Sequence, residues 1–240
     1  MVKIMQIKLF KPKYILLFIL LVNANIAEAR KIPGTNLDEK SLSLTIIKRK
    51  VPLMSLEKLL EENNEINNYI GMYPPRLYSE NQRNFIYKKW IDLVSDAEYY
   101  LSLSQNEQIL YLLADLYRKG HNMDVVDSSN HAIKNLQICL NKYPKSLSCH
   151  FTSVYLYLSS GSDGLYKAEE SLIFLRKHFA PKLNSAVESA YVTLYLHKRD
   201  AKNAKIQIEK FIDIFPNHQY AVLYKDILPT LDNGISYTKE

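Results

Sequence analysis

The residues best able to do chemistry are few. The only two cysteines, Cys139 and Cys149, lie five positions on either side of Pro144. Two antiparallel helices around a short turn would bring such symmetric positions together. In an oxidising compartment a disulfide can then form, provided the Cβ atoms approach to ~4 Å. The other reading is a pair of buried thiols, since Cys139 falls at an apolar-periodic position. Neither is a redox centre, because the pair is not Cys-x-x-Cys and no cation stands beside it in sequence to acidify a thiol.

His121, Asp124, Asp127 and His131 carry metal-capable side chains in one polar stretch, but their spacing fits no common zinc or calcium loop. Ordinary roles account for the stretch: Gly120 as a helix C-cap and Asp127 or Ser128 as an N-cap. No metal and no cofactor is expected. Gly-x-Ser-x-Gly, a phosphate loop, a dinucleotide fingerprint and His-Glu-x-x-His are absent from the sequence. No catalytic residue is assigned, and the chain is not read as an enzyme.

The elements that would position these residues are helices. Six glycines in 240 residues are too few for a sheet with many tight turns. Ser55 is a good N-cap for an apolar-periodic run through Leu56, Leu59, Leu60, Ile66 and Ile70, which Pro74-Pro75 ends. A second helix is predicted from Ser79 to Leu103, with Phe85, Ile86, Trp90, Leu93, Ala97, Tyr100 and Leu101 on its packing face. Beyond Asn106 the chain repeats. Pro144, Pro181 and Pro216 stand 37 and 35 residues apart, a period typical of stacked helical hairpins. Ala132, Leu136 and Cys139 precede Pro144 by 12, 8 and 5 residues, and Ala204, Ile208 and Phe211 precede Pro216 by the same offsets. Ala168, Leu172 and Leu175 keep that internal spacing, one residue further from Pro181. A small residue followed at four and seven by larger apolar ones marks one helix face, with the alanine at the point of close approach.

Leu110, Leu113, Ala114 and Tyr117, with Tyr195 nine residues before Ala204, follow the order of a tetratricopeptide repeat. Over about 106–216 the chain resembles that family. The resemblance implies an all-α fold, a right-handed α-solenoid of about three such repeats, joined by an N-terminal helical pair and a C-terminal capping helix from about His218 to Leu228. The departures are a six-residue insertion in Arg118–His131, a two-residue insertion around Ser160–Gly164, and Glu188 and His150 where bulky apolar residues are usual. In such arrays the first helix of each pair lines a concave groove. That register assigns Tyr111, Asp115, Arg118, Phe151, Tyr155, Thr193 and His197 to partner binding, while Tyr117, Tyr157 and Tyr195 belong to the packing between helices.

The N-terminus shows where the chain goes. Lysines up to Lys13, an apolar run from Tyr14 to Val22 and then Ala27-Glu28-Ala29 make a secretory signal peptide with cleavage before Arg30. Nine apolar residues are about half of the ~20 that a membrane-spanning helix needs, so no stable membrane insertion is expected after cleavage. The expected organisation is therefore a signal peptide at 1–29, a flexible leader at 30–54, a helical hairpin at 55–104, the repeat domain with its cap at 105–230 and a tail at 231–240. The formal charge of +6 falls to +3 without the signal, with both signs interspersed. No basic stripe remains for nucleic acid. The expectation is an exported scaffold or adaptor, in a bacterial periplasm or else secreted, that captures a peptide or helix of another protein in envelope assembly or secretion. The alternative is a small-ligand-binding component of a periplasmic transport system, with a closed pocket in place of the groove.

Overall fold

The structure is a computed structural model and describes residues 49–232; the expected signal peptide, most of the expected leader and most of the expected C-terminal tail lie outside the described residues. The described chain is all-helical, with nine α-helices, one short 3₁₀ turn and no strand. No helix among the described residues is long and apolar enough to cross a membrane. The described residues fall into two compact units, 49–194 and 195–232.

In the larger unit α1 (Leu56–Ile70) starts where Ser55 Oγ accepts from Lys58 N, and it buries Leu59, Asn63, Ile66 and Ile70 at helical spacing. After Pro74-Pro75, α2 (Glu80–Leu103) starts at Ser79, whose Oγ accepts from Gln82 N. Trp90, Leu93, Val94 and Ala97 form its buried stripe. Phe85 departs from the packing face expected for it and is 66% exposed, one position outside the stripe that Ile86 continues.

Asn106 caps α3 (Glu107–Asn122), and α4 (Ser128–Lys142) follows after a tight reversal. Ser146 caps α5 (Leu147–Ser159), the 3₁₀ turn Ser162–Gly164 follows, and α6 (Leu165–Phe179) comes next. Ala132, Leu136 and Cys139 on α4 and Ala168, Leu172 and Leu175 on α6 are all buried, so the offsets counted from the prolines do identify core faces. Consecutive helices pack together from α1 to α6, and α3 also touches both α1 and α5. Cys139 and Cys149 are bonded, with 6.4 Å between their Cα atoms, and so tie the end of α4 to the start of α5.

Gly120 is not a C-cap. It lies inside α3, where an added Cβ would run into the indole of the fully buried Trp90 and the hydroxyl of Ser128. Helix α3 ends instead at Met123, and the reversal uses positive φ at Asp124 and Asp127. Asp127 stands at the N-cap of α4 without making a side-chain capping bond. Helix α7 (Ser185–His197) joins α6 through a bidentate pair, Arg176 Nε and Nη2 to the Glu188 carboxylate at 2.9 and 2.8 Å. The guanidinium also lies 3.5 Å from the Tyr191 ring centroid, so the buried Glu188 carboxylate has a charged partner that is itself held against an aromatic ring.

In the smaller unit Asp200 caps α8 (Ala201–Ile214), which packs on α9 (Gln219–Asp232). Ala204, Ile208 and Phe211 are buried, and Phe211 meets Tyr224 edge to face at 5.1 Å. The C-terminal helix thus extends beyond Leu228 and carries Pro229 within it.

Candidate functional site

The residues assigned to the groove divide into a buried polar anchor and an aromatic surface. Asp115 Oδ1 accepts from Arg118 Nε and Nη2 at 3.0 and 2.7 Å, while its Oδ2 accepts from Lys119 Nζ at 2.8 Å and Asn63 Nδ2 at 3.0 Å. Lys119 Nζ also donates to the carbonyl and side-chain oxygens of Asn63, and Arg118 Nη1 donates to the carbonyl of Gly71 at 2.7 Å. Burial alone would raise the Asp115 carboxyl, but the Arg118 and Lys119 charges outweigh it and hold that carboxyl well below the usual range. A buried charge left without partners is costly, so this network fixes α1 onto α3. Lys119 is 1% exposed and was not singled out in the sequence. An i, i+4 acid–base pair on α3 was its only signal.

Arg118 therefore corrects the sequence expectation. It is 4% exposed and spends its guanidinium on Asp115 and Gly71, so it supports the surface from beneath instead of offering a free charge. Its Cζ lies 5.7 Å from the ring centroid of Tyr155 on α5, a cation–π contact that couples the buried network to an aromatic 44% exposed. Two residues on, Tyr157 is 7% exposed and lies at the packing position. Tyr111 is half-buried and lines an open cleft of about 220 Å³ with Glu107, Gln108 and Ser148. Burial, aided by the Asp115 charge, pushes its phenol up.

Phe151 is half-buried and meets Phe179 of α6 at 6.2 Å. Thr193, on α7, is half-buried and donates to the Ser189 carbonyl of its own helix. His197 belongs to the other unit; burial lowers the pKa of its imidazole. Arg118 thus links Asp115 to Tyr155, and Tyr111 senses the Asp115 charge, whereas Phe151 packs against α6 and Thr193 bonds within its own helix.

The polar stretch after α3 is structural. His131 stacks on Tyr117 at 4.8 Å, and Tyr117 Oη donates to Glu98 at 2.6 Å. No group of three or more metal-capable side chains converges among the described residues. His150 lies between elements: Nε2 is 3.1 Å from the Pro144 carbonyl, Nδ1 is 3.3 Å from Ser171 Oγ, and the ring stacks on Phe174 at 3.8 Å. Burial depresses its pKa despite the Pro144 bond.

The arrangement offers rigid aromatic surface on helices, backed by a fixed cation. The chain matches no protein-family model, no curated protein and no solved structure.

Proposed function

We propose that this chain is an exported, tetratricopeptide-like adaptor that captures a peptide or helix of another protein on the surface carried by α3 and α5. The observation that carries this reading is Tyr155, a large aromatic left 44% exposed on a helix while Arg118 fixes its ring from behind. Tyrosines presented rigidly with few torsions to freeze are typical anchors of protein interfaces. The neighbour pattern of α3, against α1 and α5 as well as its hairpin partner α4, supports a stacked-hairpin architecture. The Cys139–Cys149 bond supports an oxidising compartment such as the periplasm. The closed-pocket alternative gains nothing from the cleft at Tyr111, which is open, smaller than the ~300–1,000 Å³ usual for ligand pockets, and lined by neither Phe151 nor Tyr155.

A photo-crosslinking amino acid in place of Tyr155, expressed in the exporting cell, tests the reading. A discrete adduct from position 155, absent when the same probe replaces the more exposed Phe85 on α2, is the expected result. Adducts from both positions alike, or from neither, would count against it.

A further inference from the structure

Residues 49–54 were read from the sequence as the end of a flexible leader, yet they lie against α2 through contacts concentrated on one row. Asp92, Asp96 and Tyr100 are spaced i, i+4, i+8 and therefore share a helix face. Asp96 is 0% exposed. Its Oδ2 accepts from two consecutive backbone N–H groups, Leu53 at 2.9 Å and Met54 at 3.0 Å. Its Oδ1 lies 3.0 Å from Arg49 Nε, and the same guanidinium reaches Asp92 through Nη2. Tyr100 Oη donates to the Met54 carbonyl at 3.0 Å. Val51 and Leu53 do not carry the attachment, being 71% and 63% exposed, while Pro52 and Met54 are half-buried.

A buried carboxylate is costly unless it is paired and hydrogen-bonded. Each contact the structure gives the Asp96 carboxylate comes from this strap. The row on α2 is thus built around a bent segment, whose two consecutive N–H groups converge on one carboxylate oxygen; it reads that backbone twice as donor and once as acceptor, and reads one side chain, a guanidinium four residues ahead of the first N–H. Main-chain bonds joined to a charged determinant are a recognised way to hold a peptide segment.

We infer that α2 carries a second peptide-recognition site, separate from the α3–α5 surface, which takes a bent arginine-bearing segment and is occupied in this chain by its own residues 49–54. The site does not rest on the adaptor reading. The tethered strap competes with any peptide in solution, because its linkage gives it an effective concentration in about the millimolar range. A peptide of the same chemistry enters only when the strap is weakened.

The test uses the full chain and a fluorescent peptide, acetyl-Arg-Lys-Val-Pro-Leu-Met-Ser-amide, corresponding to residues 49–55. Arg49→Ala removes the strap's charged anchor. The peptide should then bind, at least about tenfold more tightly than to the unaltered chain, the ratio expected for loss of a charge-assisted hydrogen bond. Adding Asp96→Asn to Arg49→Ala should abolish that gain, with helicity checked by circular dichroism. Should that variant fail to fold, Tyr100→Phe in the Arg49→Ala background decides, and should weaken peptide binding severalfold by removing the bond to the Met54 carbonyl. Absence of binding to Arg49→Ala, or binding indifferent to the α2 substitution that folds, would overturn the inference.

Discussion

The indole Nε1 of Trp90 donates a 2.7 Å hydrogen bond to the carbonyl of Leu116. The indole is completely buried, so this bond both satisfies its one polar atom and fixes the distance between α2 and α3. Gly120, one turn after Leu116, leaves the space the ring occupies.

Gly120→Ala should therefore destabilise the protein. Alanine is the better helix former by about 1 kcal/mol, but its methyl collides with a ring that has nowhere to go. The expected net loss is about 1–3 kcal/mol, read from the shift in denaturant midpoint. A gain in stability would mean that the α2–α3 contact yields easily.

Asp115 sets an acid limit. Its folded pKa is depressed by Arg118 and Lys119, so its contribution is fully present above the unfolded pKa near 3.8 and is lost as pH falls through the folded value. Asp115→Ala should cost about 3–5 kcal/mol at pH 7, because it strands the buried Lys119. The unaltered protein should lose more stability than Asp115→Asn between pH 5 and pH 2, measured by urea unfolding at each pH. Parallel pH profiles would refute the assignment.

His150 acts in a higher window. Its folded pKa lies below the ordinary 6.5 because it is buried, so the unfolded chain takes up the proton first. Stability falls as pH drops through 6.5 toward the folded value. His197 is depressed in the same direction, so the informative quantity is a difference between proteins. His150→Asn should flatten the loss of melting temperature between pH 7.5 and 5.5 relative to the unaltered chain, and an unchanged slope would contradict the account.

The disulfide should contribute by restricting the unfolded chain. Its ends are ten residues apart, and a loop of that size corresponds to about 2–3 kcal/mol. The double substitution Cys139→Ala with Cys149→Ala should lower stability by that amount. Both cysteines are 0% exposed, so reductant should act on the folded protein far more slowly than on the denatured one. Equal reduction rates would show that the bond is open to solvent.

Much of the helical framework was legible because its signals are local. Ser55, Ser79 and Asn106 cap as their side chains allow, and the Ala, Leu and Cys offsets before Pro144 mark a buried face because period 3.6 places them there. Relationships between distant segments left no such trace. Arg118 has the composition of a surface contact, and the Gly71 carbonyl, 47 residues earlier, joins Asp115 in taking it inside. Lys119 would be expected in water, yet Asn63, 56 residues away, meets it with two oxygens. The strap at 49–54 lacks helical period, which was taken for freedom, while its hydrogen bonds lie on a helix more than 40 residues further along. Phe85 is the reverse case: the apolar face expected for α2 was one position too broad, and Phe85, at its edge, is 66% exposed.

The most direct test of the central claim compares Tyr155→Ala with Tyr157→Ala. The two side chains are about 200° apart around α5, and the first is 44% and the second 7% exposed. With the partner recovered by crosslinking at position 155, Tyr155→Ala should weaken capture by ~2 kcal/mol or more while leaving the melting temperature nearly unmoved. Tyr157→Ala should instead cost stability, up to ~3–5 kcal/mol for a large buried aromatic. Capture unaffected by Tyr155→Ala, or a Tyr155→Ala protein that unfolds beside a Tyr157→Ala protein that does not, would contradict the proposed binding surface.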